Sequence, residues 1–219
     1  MKPGLVLPLV VILLPGCEGV GDGPRSPDTG SRLRAATAAE ASGQMDVALS
    51  MYAAAALAAP GNADAQARFA RALLRAGNGG QAEQVLSAAV QRRPNDPALL
   101  MELGRLRLQA GAAEAALGYF DRVLAASPRD VDALDLRGVA LDLMGRHGEA
   151  QQSYRQALAL RPASLSVANN LGLSLLLSGQ AAEAVAVLEP LVRRADATDR
   201  VRANDQAALA AAAPPAQVQ

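Results

Sequence analysis

Four classes of residue recur along this chain at a single interval. Prolines stand at Pro60, Pro94, Pro128 and Pro162, each 34 apart. Glycines at Gly43, Gly77, Gly111, Gly145 and Gly179 keep the same interval, and so do alanines at Ala48, Ala82, Ala116, Ala150 and Ala184. Residue types that cap helix N-termini occupy Asp28, Asn62, Asp96, Asp130, Ser164 and Thr198. A fixed period of roughly 20–50 residues marks an architecture of stacked units, none of which buries its apolar face alone.

Each class has a mechanical role in a helix-turn-helix unit. The Asp, Asn, Ser or Thr side chain accepts from the free N–H groups at the start of the first helix. Pro97, directly after Asp96, opens a helix without losing a hydrogen bond. The glycine supplies the left-handed residue that ends the first helix. The alanine lets the second helix approach the first, and the proline keeps the second from running on. Between these markers the apolar residues keep helical spacing: Phe69, Leu73, Ala82, Leu86 and Ala89, then Leu100, Leu103, Gly104, Ala116 and Phe120, then Leu134, Val139, Leu141, Ala150, Tyr154 and Ala157. The aromatics Tyr52, Phe69, Phe120 and Tyr154 are therefore expected in the core.

Small, aromatic and proline positions at this period resemble the tetratricopeptide signature over residues 29–196. The implied fold is all-α, a right-handed α-solenoid of about five units (29–62, 63–96, 97–130, 131–164 and 165–198) plus a C-terminal capping helix at 199–213. The first unit is the weakest, with arginine or alanine where that family carries large apolar residues. In the last, Asp196 replaces the proline and Pro190 is expected to end or kink the second helix near Glu189. Thr198 then caps a more polar helix with Arg202, Asp205 and Gln206, stopped by Pro214 and Pro215 ahead of a disordered tail at 214–219. A polar last helix shields the open end of such a stack.

The resemblance places a partner groove on the first helices, at the second, fifth, ninth, twelfth and thirteenth positions of each unit. The candidate residues are Arg71 and Arg75, then Met101 and Arg105, then Asp132, Asp135 and Asp142, then Asn169, Leu173, Leu176 and Leu177. The groove is graded from arginines through acids to leucines, which suits an extended or helical segment with a charged and an apolar part. Equally, arginines and aspartates on neighbouring helices neutralise each other across a solvated groove. The leucines ask for cover, from a partner or from the terminal helix. The chaperone-tail clamp of some tetratricopeptide proteins is not expected, because Lys2 is the only lysine and only Asn170 matches that residue set. His147 reads as an exposed residue of a turn.

The chain opens Met-Lys, continues apolar from Leu5 to Leu14 and closes on Pro15-Gly16-Cys17. A charged start and about ten apolar residues fit an export signal, and the run is short of the ~20 residues that span a bilayer. Its LPGC ending resembles a bacterial lipobox, which implies lipidation of Cys17 after removal of residues 1–16. Pro15 and Pro8 depart from that pattern, and the alternative is a plain signal peptide with an incidental cysteine. Residues 17–28 read as a flexible tether. By the same resemblance, Glu18 after the cysteine points to the outer membrane, periplasmic face.

The 21 basic and 21 acidic residues cancel, so no bulk field favours nucleic acid. One cysteine and one histidine supply no metal cluster, and no cofactor, small-molecule substrate or catalytic residue is expected. The stretch from RGVALDLMGRHGEAQQSYRQALALRP to DRVRAN resembles the TadD lipoproteins of tight-adherence (Flp) pilus assembly, although Asp205 and Gln206 depart from that family's apolar residues. The resemblance implies an accessory, pilotin-like factor for the outer-membrane secretin. A second reading is a periplasmic lipoprotein adaptor for peptidoglycan enzymes or outer-membrane protein assembly. An enzyme with an appended repeat array would need residues that lie outside the repeats, and few remain.

Overall fold

The computed structural model describes residues 28–213; the proposed signal, Cys17, most of the tether and the tail at 214–219 lie outside them. Eleven helices follow one another: α1 (Thr29–Ala41), α2 (Met45–Ala58), α3 (Ala63–Arg75), α4 (Gly79–Arg92), α5 (Pro97–Gln109), α6 (Ala113–Ala126), α7 (Val131–Leu143), α8 (His147–Leu160), α9 (Leu165–Leu177), α10 (Ala181–Val192) and α11 (Asp199–Ala212). The described residues form an all-α solenoid, five helix pairs closed by α11.

The capping residues set the starts of the odd-numbered helices. Asp28, Asn62, Asp96, Asp130, Ser164 and Thr198 each accept from a backbone N–H two or three residues on. One such cap stabilises a helix by about 1 kcal/mol. The even-numbered helices of the pairs have no side-chain cap and start differently. Gly111 adopts φ +74, and the next residue, Ala112, donates its N–H back to the Arg107 carbonyl at 2.9 Å. Ala112 then accepts from Ala116 N–H at 3.0 Å, the first bond of α6. The same residue thus satisfies a carbonyl at the end of one helix and opens the next. This arrangement repeats at all five turns, with residues 44, 78, 146 and 180 in the same role.

In the third, fourth and fifth pairs a glycine on the first helix faces a large residue on the second. A Cβ placed on Gly104 would sit 2.4 Å from Phe120 Cε1, one on Gly138 2.4 Å from Tyr154 Cε1, and one on Gly172 2.5 Å from Leu188 Cγ. Phe120, Tyr154 and Leu188 are fully buried in those sockets, as are the five periodic alanines. Val139, expected inward, is only half-buried and rests at the edge of the core. The core is a long strip in two clusters that meet in the third unit: Leu99, Leu103 and Leu106 belong to the first, Leu100 and Met101 to the second.

Two ends of the array depart from the expected pattern. In the first unit, Leu33 and Ala36 are buried despite the arginines around them. The Tyr52 hydroxyl donates to Glu40 at 3.0 Å and lies 3.1 Å from Thr37 Oγ1, so polar contacts supplement a thin apolar seam. Pro190 does not end α10 near Glu189; the helix continues to Val192 and is 12 residues long where the other second helices are 14. The N–H that proline lacks would have bonded Ala186. Both residues are exposed, so the freed carbonyl is within reach of solvent, and the helix ends two residues beyond the proline.

Candidate protein-binding groove

Odd-numbered helices touch one another in series, α3 with α5, α5 with α7, α7 with α9 and α9 with α11, while successive even-numbered helices have no comparable contact. The odd-numbered helices therefore line the inner face of the array, and their exposed residues form its groove.

Position within the unit decides what the groove presents. The thirteenth residues, Arg75, Gln109, Leu143 and Leu177, are all exposed. The ninth, Arg71, Arg105, Val139 and Leu173, are half-buried. The fifth turn towards the neighbouring odd-numbered helix: Ala67, Met101 and Asn169 are buried and Asp135 half-buried. Two expected groove residues, Met101 and Asn169, are thus buried. Met101 lies in the core, and Asn169 accepts from Asn204 of α11 at 2.9 Å.

A ladder of polar contacts ties the inner face together. Arg75 pairs with Glu40, whose other oxygen accepts from Tyr52. Arg71 places Nε and Nη2 on Glu102 Oε1 at 2.8 and 2.6 Å. Burial works against the Arg71 charge, but the hydrogen bond and charge of Glu102 outweigh it and raise the guanidinium pKa further. Asp132, exposed, meets Arg161 at 3.2 Å. Asp135 accepts from Asn170 at 2.9 Å. Burial holds its carboxyl above the ordinary value, and the Asn170 bond opposes that only in part.

Asp142 is the most heavily engaged acid. Its Oδ1 accepts from Ser174 Oγ at 2.6 Å and lies 2.8 Å from His147 Nδ1, and its Oδ2 accepts from the Tyr154 hydroxyl at 3.0 Å. Burial, then the Asp142 charge, pushes the Tyr154 phenol well above the usual tyrosine range. His147 is not a free turn residue; it starts α8 and leans on α7 through Asp142. Serine, histidine and aspartate meet here, but Ser174 donates to the carboxylate and not to the imidazole. The serine is fully buried and its hydroxyl meets no imidazole, so the trio joins α7, α8 and α9 and offers no exposed nucleophile.

Between α3, α5 and α7 the groove opens into a cavity of about 410 Å³, walled by Arg71, Arg75, Glu102, Arg105, Asp132 and three leucines, Leu74, Leu108 and Leu136. Glu102 is fully buried and its Oε2 has no hydrogen-bond partner among the described residues; the same holds for Arg105 Nε. Nearer the C-terminal end the surface turns apolar. Leu143 and Leu177 are 63% and 57% exposed, at equivalent positions on adjacent helices. Leu176 is half-buried against the core, and α11 leaves Leu177 uncovered. No described helix is long and apolar enough to cross a membrane.

Two family models, each described as tetratricopeptide repeat, match the chain: one at residues 39–106 and again at 80–139, the other at 136–200. The uncharacterized protein y4yS of Sinorhizobium fredii (strain NBRC 101917 / NGR234) is 32% identical over 108 residues, 49% of this chain and 59% of its own length. The chain therefore spans little more than half of that relative. Among solved structures, a thermophilic tetratricopeptide-repeat protein of Thermus thermophilus superposes with a TM-score of 0.71 at 24% identity, covering 83% of this chain and 99% of that one. A repeat protein of Parabacteroides merdae ATCC 43184 gives 0.68 at 17% identity, with 83% and 72% covered. At such identities these structures speak for the fold alone.

Proposed function

The chain belongs to the tetratricopeptide-repeat family, a family of protein-interaction scaffolds, and we propose that its inner groove holds a protein segment as part of a lipid-anchored assembly factor at the outer membrane. The observation that carries the reading is the open cavity between α3, α5 and α7, together with Leu143 and Leu177 exposed on the odd-numbered helices further along the array. Charged and apolar ground lie side by side there, which suits an extended or helical segment.

The partner we propose is the secretin through which Flp pili emerge, or another component of that assembly. Support comes from the sequence: the LPGC ending at Cys17 and the TadD-like stretch from Arg137 through the fifth unit. A lipid on Cys17 would hold the scaffold at the periplasmic face within reach of a membrane-embedded partner, and several acyl chains would make that attachment lasting. Deletion of the gene should leave the secretin monomeric or mislocalised and the cells without pili. Unchanged secretin multimers and pili would refute this partner. Cys17→Ser should abolish acyl labelling, and persistent lipid incorporation would refute the anchor.

A further inference from the structure

We infer that the outward face of α2 rests on the bilayer that holds the lipid anchor, so that the first helix pair, and not only the lipid, meets the membrane. The inference rests on the reading of Cys17 as a lipid-modified residue.

A helix packed on one side only is ordinarily polar on the other, and one that is apolar all round is covered all round. α2 is apolar all round and covered on one side. Towards α1 and α3 it buries Ala48, Tyr52, Ala55 and Ala56. On the opposite side Val47, Ser50, Met51, Ala54, Leu57 and Ala58 are exposed. Their spacing of three and four residues makes them one stripe along the helix. Among the described residues six large apolar side chains are exposed, and three of them, Val47, Met51 and Leu57, stand in this stripe. Leu57 is 81% exposed. Other units put polar groups here: α4 has Gln81 and Gln91 in place of Val47 and Leu57, while α8 and α10 have Glu149 and Glu183 in place of Val47.

Size and place decide what covers the stripe. One face of this 14-residue helix is about 21 Å long and about 10 Å wide. It offers about 200 Å², far below the ~800 Å² that each partner of a stable protein interface buries. A bilayer needs less, because the anchor makes the contact an intramolecular one. Asp28, the cap of α1, is 11 residues beyond Cys17, and a chain of that length spans about 40 Å at most. The first unit therefore stays within reach of the surface that holds the lipid. From Met45 to Ala63 the only charge is Asp46, and Arg32 of α1 reaches the stripe's edge to donate to the Ala54 carbonyl at 3.4 Å. These two charges cancel, so the face suits the boundary between headgroups and acyl chains without calling for anionic lipid.

The test uses the full chain, purified in detergent from the membranes of its own cells. It carries Ser50→Cys in the stripe, or Gln152→Cys at the equivalent position of α8; both sites are exposed. Cys17 is the only native cysteine, so with lipid on its sulfur a thiol-reactive, polarity-sensitive dye labels the introduced thiol alone. In phosphatidylcholine vesicles the dye at position 50 should shift its emission to the blue and be quenched by nitroxide-bearing lipid. The dye at position 152 should do neither. Val47→Gln combined with Leu57→Gln should remove both signals from position 50, with circular dichroism verifying the fold. No quenching at position 50 on chains that stay with the vesicles, or equal quenching at both positions, would overturn the inference and leave the anchor standing. A blue shift at position 50 that needs no lipid and grows with protein concentration would overturn it in favour of a second copy. Dye taken up by the chain with no added cysteine would reveal a free Cys17, and the anchor and the inference would fall together.

Discussion

Adding a single methyl group at Gly138 tests the packing logic of the whole array. Replacing a mid-helix glycine by alanine ordinarily stabilises, since alanine has the higher helix propensity by about 1 kcal/mol. At Gly138 the new Cβ would lie 2.4, 2.6 and 2.8 Å from Cε1, Cζ and Cδ1 of Tyr154. The ring has little room to yield. It is 1% exposed, and its hydroxyl is fastened to Asp142, which is itself held by Ser174 and His147. Overpacking costs about 1–3 kcal/mol, and a displaced ring also weakens a hydrogen bond to a charged acceptor worth about 1.5–3 kcal/mol. Against the propensity gain, the net loss should be about 1–3 kcal/mol. Gly118, in the middle of α6, is the matched control, because a Cβ there meets nothing within 4 Å. Urea unfolding followed by circular dichroism should therefore shift in opposite directions, down for Gly138→Ala and up for Gly118→Ala by about 0.5–1 kcal/mol. If Gly138→Ala matched or exceeded the wild type in stability, the socket account would be wrong.

Two further outcomes follow from the polar groups. Asp135 has a raised carboxyl pKa, chiefly from burial; folding therefore favours its protonated form, and that contribution is lost as pH rises through the folded value. Asp135→Asn keeps an acceptor for Asn170 and removes the penalty, so its urea midpoint should exceed the wild type's at pH 7 and the gap should close on acidification below the carboxylate range; a variant that is less stable at neutral pH contradicts this. Thr198→Ala removes the acceptor for Val201 N–H at the start of α11 and should cost about 1 kcal/mol. Its effect should appear in hydrogen exchange as faster opening of α11 with the inner units unchanged, and uniform acceleration along the chain would argue against a separately fraying cap.

The helix pairs, their caps and their turns were legible in the sequence because each depends on residues close together in the chain. Asp130 caps α7 and Gly145 turns it, whatever lies beyond. The inner face was read less well, because it depends on which neighbour each position meets. Met101 and Asn169 share the fifth position, which lies between adjacent odd-numbered helices and not on open ground. One signal was available. Glu40 with Arg75, Asp135 with Asn170 and Asn169 with Asn204 are complementary pairs 35 residues apart, one more than the period. Scanning for such pairs would have marked Glu40 and Asp135 as interlocked with neighbouring helices. The fate of Pro190 was a matter of position: the helix runs only two residues beyond it, and the carbonyl it frees belongs to an exposed residue. The pairing of Gly138 with Tyr154 needed the three-dimensional register, since a lone glycine in a helix carries no mark of the ring it admits.

The central claim, that the inner face holds a protein partner, is tested most directly by photo-crosslinking in cells. A photoreactive residue placed singly at Gln109, Leu143 or Leu177 samples the groove, and one at Ser87 or Gln152 samples the outer helices; all five positions are exposed. The account predicts one discrete crosslinked protein from the three groove positions and none from the outer two. Crosslinks confined to Ser87 or Gln152 would contradict it.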